Sequence, residues 1–140
     1  PALGTRPHTH SGAVSLAAVE IAELLGSRYV AVFTESGDSL RRVSRLRSSV
    51  PTLAFTPSET VRNRLSLVWG AHTFLVASVK HTDEMMHQVD EIVLAEGLAK
   101  QGEEVVVVAG TPPGIPGSTN SLRVHRVGDA VNGAAPGYKS

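Results

Sequence analysis

The chain has 140 residues, of which 41% are hydrophobic and 19% charged, and this describes a single globular domain, not a disordered or fibrous protein. Its 13 Lys and Arg residues balance its 13 Asp and Glu residues, which argues against nucleic acid or an anionic membrane as a partner, because both are held by excess positive charge. Cysteine is absent, so disulfides and thiolate metal sites are excluded.

The first half of the chain alternates helical and strand patterns. Residues 1–10 carry two prolines and two histidines without periodicity and are predicted to be a linker. A helix follows to about Leu25, because apolar residues recur on one stripe and Gly26 ends them. The run Tyr29–Thr34 is short, apolar and rich in β-branched residues, which predicts a buried strand. Further along we predict a helix over Gly37–Arg47, a strand over Pro51–Thr56 and a helix from Pro57 to about Leu65 or Leu67.

The second half continues the alternation and then breaks it. We predict a strand over Thr73–Val76 and a long helix capped by Thr82, whose acidic first turn suits the positive end of a helix dipole. Glu104–Ala109 is the clearest strand pattern in the chain. The last strand, Leu122–Val127, follows a loop without a helix, so it can only return antiparallel to its predecessor. The inner stripe of the long helix is Met85, Val89, Ile92 and Ala99.

Alternating helices and apolar strands indicate an α/β domain with a parallel sheet covered on both faces. The predicted fold is therefore a three-layer structure. Its five-stranded sheet is mainly parallel, with helices on both faces and the last strand antiparallel. We place this domain at residues 11–128 and expect residues 129–140 to be a flexible tail.

The first candidate site lies where the Tyr29–Thr34 strand meets the next helix, the position at which ligands bind in open α/β sheets. Gly37 permits close backbone approach, the amides of the new helix are expected to point outward unpaired, and nearby hydroxyls add donors, which together make a phosphate cradle. A plainer interpretation is that Ser36 caps the helix and Gly37 makes the turn, which is the commoner use of such residues. The candidate residues are Thr34, Ser36, Gly37, Asp38 and Ser39.

The second candidate is the uncharged segment Gly110–Asn120, which joins two strands that a tight hairpin could have joined. Loops of this length without regular structure are often binding loops or lids, although a passive connector fits the sequence equally well. It matches neither a Walker A loop nor a dinucleotide fingerprint. The candidate residues are Pro113, Gly114, Gly117, Ser118 and Thr119.

The helix after Gly37 also carries Arg41, Arg42, Arg45 and Arg47. Such a face can meet an acidic partner or a phosphate, but it is more often simply solvated. We find no catalytic constellation and no metal motif. His81 and His87 do not share a helical face, and there is no nucleophile elbow.

Four segments, taken in order, resemble the C-terminal domain of pyruvate kinase. The family pattern is a Thr-x-Ser-Gly turn, Ser-Arg-x-Arg with Pro-x-x-Ala-x-Thr, Leu-x-Leu-x-Trp-Gly, and Gly-[Asp/Glu]-x-Val-Val ending in a Gly/Pro loop and Thr-Asn. The order and spacing across residues 12–127 carry the resemblance, and Ala-Gly-Thr-Pro-Pro-Gly is similar to actinobacterial members. The matching segments here are Val32–Ser39, Ser44–Arg47 with Val50–Thr56, Arg64–Gly70 and Gly102–Asn120.

The resemblance implies a regulatory role in a cytoplasmic protein. In the family this domain packs on a (β/α)₈ barrel that transfers phosphate from phosphoenolpyruvate to ADP in glycolysis with Mg²⁺ and K⁺, and it forms one interface of a tetramer. A barrel needs about 250 residues, so this chain is expected to be an excised part without catalytic residues, metal ligands or cofactor, and inactive alone. Thr34, Ser36, Gly37 and Ser39 match the loop that holds an effector phosphate, and Pro113–Thr119 matches the loop that closes over it.

The charged residues of the phosphate loop limit which phosphorylated effectors are expected to bind. Members activated by fructose 1,6-bisphosphate typically place positive charge in the phosphate loop, whereas this chain has Glu35 and Asp38. Each carboxylate would weaken phosphate binding by about 1 kcal/mol or more at ~4–6 Å. AMP, a hexose or ribose monophosphate, or inorganic phosphate is therefore favoured. A stand-alone phosphometabolite sensor and a purely structural assembly domain are the alternatives.

Overall fold

The computed structural model describes residues 10–69, 72–110 and 121–133. The helices in these ranges are α1 (His10–Leu25), α2 (Asp38–Arg45), α3 (Glu59–Trp69), α4 (Thr82–Ala95) and α5 (Asp129–Asn132). The strands are β1 (Tyr29–Phe33), β2 (Thr52–Thr56), β3 (His72–Leu75), β4 (Glu104–Ala109) and β5 (Ser121–Arg126). None of the helices in the described part of the chain combines the length and apolar character needed to cross a bilayer.

The strands form one sheet in the order β3-β2-β1-β4-β5. β1 pairs in parallel with β2 and with β4, and β2 pairs in parallel with β3. β5 is antiparallel to β4, with Glu104 opposite Arg126 at one end and Ala109 opposite Ser121 at the other. The predicted mainly parallel five-stranded sheet with an antiparallel last strand is thus confirmed.

Alternate residues of the central strands pack into two separate hydrophobic cores, because successive side chains of a strand point to opposite faces of the sheet. On one face Val30 and Val32 of β1 pack with Ala18 and Ala22 of α1, and α2 and α3 continue this layer. On the other face Ala31 lies in a cluster with Met86, Val89 and Val93 of α4. The sheet is therefore covered by α1, α2 and α3 on one side and by α4 and α5 on the other.

The structure differs from the sequence prediction at several element ends. The N-cap of α4 is His81, not Thr82, and the Glu84 side chain accepts the His81 amide at 3.1 Å. α4 ends at Ala95, so Ala99 is buried beyond the helix and not on its stripe. Residues 129–132 form α5, where the sequence indicated the start of a flexible tail.

A buried carboxylate explains why the chain remains ordered into α5. Asp90 of α4 and His125 of β5 are 0% and 3% exposed, and Asp90 Oδ1 lies 2.7 Å from His125 Nε2. The other oxygen, Oδ2, accepts the backbone amides of Ala130 at 2.8 Å and Val131 at 3.2 Å. Asp90 thus joins three elements and supplies negative charge at the amino end of α5, where helix amides favour it.

These contacts also set the charge state of Asp90. Burial alone would raise the pKa of its carboxyl, but hydrogen bonds from the His125 ring and from the backbone around the start of α5, with attraction to His125, outweigh that effect. The pKa of Asp90 therefore lies below its ordinary value of 3.8. A carboxyl whose pKa is lower in the folded state stabilises the fold above its unfolded pKa, and this stability is lost as the pH falls through the folded pKa.

We predict that Asp90→Asn lowers the free energy of unfolding by about 2–4 kcal/mol near neutral pH, because the amide cannot satisfy both His125 and the α5 amides. Urea unfolding followed by circular dichroism measures this loss. The difference from the unsubstituted chain should shrink below pH 3.8, the ordinary value of the carboxyl, as Asp90 itself becomes protonated.

Asp83→Asn is the matched control on the same helix. The Asp83 side chain is 59% exposed and lies 3.6 Å from Arg123, so its loss should cost less than about 1 kcal/mol. Equal losses in the two variants would contradict the role assigned to Asp90.

Candidate functional site

The two predicted loops leave the sheet side by side. β1 is flanked by β2 and β4, and the chain fills one side of β1 before crossing to the other. Val32 near the end of β1 is aligned in parallel with Val108 near the end of β4, so the segments after Phe33 and after Ala109 start at the same edge. This reversal of strand order is the place where open α/β sheets bind ligands.

The segment after β1 is held by its own hydroxyls. The Gly37 amide donates to Thr34 Oγ1 at 2.7 Å, and the Asp38 amide donates to Ser36 Oγ at 3.3 Å. The expectation of unpaired amides is therefore wrong for these two groups, since capping by nearby hydroxyls satisfies them. Each hydroxyl that accepts an amide still has its own O–H to donate, so the donors offered here are O–H groups on Thr34, which is buried, and on Ser36, which is half-buried.

Gly37 is required at the turn by both its backbone and its surroundings. Its φ is +98°, a left-handed conformation that side chains disfavour. A Cβ at this position would lie 3.1 Å from Leu65 Cδ2 and 3.6 Å from Arg64 Nη2. The turn thus packs directly against the middle of α3, and Ser39 and Leu40 behind it are buried.

Two arginines approach the loop. Arg41 Nη1 lies 2.7 Å from Asp38 Oδ1, so the charge of Asp38 is offset within its own helix. Arg64 Nη2 of α3 donates to the Ser36 carbonyl oxygen at 2.5 Å. Sequence reasoning did not select Arg64 as a site residue, since 28 positions separate it from Ser36 and no local pattern links them.

The other arginines of the segment from 41 to 47 do not form one helical face, because Arg47 lies outside α2. Arg47 lies just beyond the helix with a φ of +50°, and its amide donates to the Ser44 carbonyl. Arg42 is half-buried, and its Nη1 has no hydrogen-bond partner among the described residues. Arg45 is exposed.

Of the predicted site residues, the structure brings Thr34, Ser36, Gly37, Asp38 and Ser39 together in one turn. Pro113, Gly114, Gly117, Ser118 and Thr119 lie outside the described residues. Within the described ranges, no group of three or more His, Asp or Glu side chains is placed to hold a metal ion.

Comparisons with known proteins identify the family of the chain. A family model described as the pyruvate kinase alpha/beta domain matches residues 12–125. The chain is 49% identical over 129 residues to pyruvate kinase of Corynebacterium glutamicum and 45% identical to that of Mycobacterium tuberculosis, covering 92% of this chain in each case. Both are actinobacterial, as the sequence resemblance indicated. The chain spans only 27% of the length of these relatives.

The fold has a close counterpart in a solved structure. A crystal structure of a pyruvate kinase from Cryptosporidium parvum matches with a TM-score of 0.76 at 23% identity, covering 87% of this chain and 23% of that chain. At this identity the likeness shows the fold alone.

We predict that Gly37→Ala destabilises the chain by about 1–3 kcal/mol, since it combines left-handed strain with a contact that Leu65 must relieve. Gly102→Ala is the control, because Gly102 has a φ of +92° and nothing within 4 Å of an added Cβ. Thermal unfolding of both variants separates backbone strain from packing. A loss at Gly37 no larger than at Gly102 would contradict the close packing of the turn against α3.

Proposed function

Because the chain belongs to the pyruvate kinase family as its alpha/beta domain, we propose that it binds a phosphorylated effector between residues 34–39 and 113–119 and regulates a catalytic barrel. Transfer of phosphate from phosphoenolpyruvate to ADP is proposed for the whole protein in the cytoplasm. The Mg²⁺ and K⁺ for that reaction belong to the barrel, of about 250 residues, and the chain alone should have no kinase turnover.

The observation that carries the proposal is the common origin of the two loops. They leave the carboxyl ends of β1 and β4, which are adjacent parallel strands aligned at Val32 and Val108. A ligand at the point where strand order reverses can contact both segments. A site on one loop alone would lack this second wall.

The chemistry of the first loop suits a phosphate. The Thr34 and Ser36 hydroxyls, which accept the Gly37 and Asp38 amides, can donate their own O–H groups to phosphate oxygens. The amino end of α2 adds the favourable field of a helix. Neutral donors of this kind bind an anion without requiring a metal.

Charge supports a monophosphate. Arg41 offsets Asp38, whereas the Glu35 carboxylate has no ion-pair or hydrogen-bond partner among the described residues. One uncompensated carboxylate is a modest penalty for a monophosphate and a larger one for a bisphosphate. AMP or a hexose or ribose monophosphate is therefore favoured over fructose 1,6-bisphosphate.

Regulation requires that the effector prefer one arrangement of the domains. Binding that engages the segment from 113 to 119 can change how this domain packs on its barrel and on neighbouring subunits of a tetramer, and so alter a distant active site. An effector with equal affinity for both arrangements would bind without regulating.

A packing domain without a ligand is the competing interpretation. It is favoured by the hydrogen bonds of the Gly37 and Asp38 amides to Thr34 and Ser36, which are the bonds expected of a simple helix cap. Titration of the ¹⁵N-labelled chain with AMP separates the two. Effector binding should shift the amides of residues 34–39 and leave that of Gly102 in place, whereas no shift at millimolar AMP would support the packing interpretation.

We further predict that Glu35→Gln tightens AMP binding by about 3- to 10-fold at low salt, because it removes a like charge near the phosphate. Calorimetric titration measures the change. Glu96→Gln is the control of equal charge change, since Glu96 is exposed beyond α4 on the opposite side of the sheet. Unchanged or weaker binding in Glu35→Gln would contradict the placement of the phosphate beside this loop.

A further inference from the structure

We propose that Arg64 of α3 supplies the positive charge of the phosphate site, a role that the first loop cannot fill itself. The inference rests on the proposed function, because it assumes a phosphate at residues 34–39. It assigns recognition of the anion to a residue from a separate helix. The ligand class that this favours is a phosphate monoester, with neutral sugars and nucleosides discriminated against.

The position of Arg64 is set by its neighbour. Leu65 is 0% exposed and packs with Leu40, Ala54 and Val61, which fixes the middle of α3 against α2 and the sheet. The Leu65 side chain also packs beside Gly37, since its Cδ2 would lie 3.1 Å from a Cβ at that position. Arg64 is therefore held next to the turn by the core.

The guanidinium lies on the loop itself. Its Nη2 donates to the Ser36 carbonyl at 2.5 Å and stands 3.6 Å from the place of a Cβ on Gly37. A guanidinium has five N–H donors, and this contact uses one of them. The other donors face no hydrogen-bond or ion-pair partner in the described part of the chain.

Among the charges near the turn, that of Arg64 stands out. Arg41 is neutralised by Asp38 at 2.7 Å. The described partner of Arg64 is a neutral carbonyl. Its positive charge has no ion-pair partner among the described residues, so it can offset Glu35 and attract an anion. Arginine also matches the oxygen geometry of a phosphate better than other cations do.

The contact has a second effect on the same peptide. Donation to the Ser36 carbonyl polarises the peptide group that ends in the Gly37 amide, and linked hydrogen bonds strengthen one another. Arg64 therefore holds the turn in place by a hydrogen bond and also adds positive charge beside it. Substitutions that keep or remove the charge separate the two effects.

The test compares Arg64→Gln, Arg64→Lys and Arg45→Gln by calorimetric titration with AMP and with inorganic phosphate at low and high salt. Arg45→Gln is the matched control, as Arg45 is an exposed arginine in the last turn of α2, about 10 Å from its start by helix rise. We expect Arg64→Gln to weaken binding by about 5- to 30-fold at low salt, with a smaller loss at high salt. Arg64→Lys should recover part of the affinity, and Arg45→Gln should bind within about 2-fold of the parent chain.

Each result decides something. Parent-like binding by Arg64→Gln while the parent chain binds AMP would overturn the role of Arg64 and leave the proposed function standing. Equal losses in Arg64→Gln and Arg64→Lys would show that only the hydrogen-bond geometry matters, and would overturn the assignment of charge. Absence of binding in the parent chain would reject the proposed function and this inference together. Melting temperatures identify a variant that fails to fold. If Arg64→Gln does not fold, Arg64→Lys decides alone: a loss smaller than about 5-fold supports the charge assignment, and a loss as large as that expected for Arg64→Gln rejects it.

Discussion

The parallel pairing of β1 between β2 and β4 is the constraint on which the rest of the molecule depends. Val30, Ala31 and Val32 are fully buried, so this strand contributes to the cores on both faces at once. Parallel neighbours place their carboxyl ends at one edge, and the turn at Gly37 and the segment after Ala109 start there. A shift of one residue in this register would exchange the two cores and separate the loops.

The layers of the fold could be predicted well because each helix and strand is indicated by the residue pattern of its own short segment. Runs such as Glu104–Ala109 show a buried strand without reference to any other part of the chain. The pairing of Asp90 with His125 and of Arg64 with Ser36 spans 35 and 28 positions, and no periodicity encodes such contacts. The sequence therefore does not predict the pairing of His125 with Asp90. α5 was missed for the same reason, since its amides are satisfied by Asp90 from a distant helix.

The turn after β1 could be located from the sequence, but its hydrogen bonds could not. Turn residues between a strand and a helix mark the loop, but the partner of each amide depends on side-chain rotamers that a sequence pattern does not specify. Thr34 and Ser36 turned inward to cap the Gly37 and Asp38 amides. The net charge around the turn likewise depends on which carboxylate pairs with an arginine. Arg41 forms an ion pair with Asp38 and not with Glu35.

The tight fit of Gly37 against Leu65 has a consequence for how this family can diversify. Substitution at position 37 is costly, because the left-handed backbone disfavours a side chain and Leu65 would have to shift to make room for one. Positions 35 and 64 border the same turn, and neither is part of the packed interior. The proposed preference among anions could therefore be altered by substitutions at these two positions, without repacking of the core.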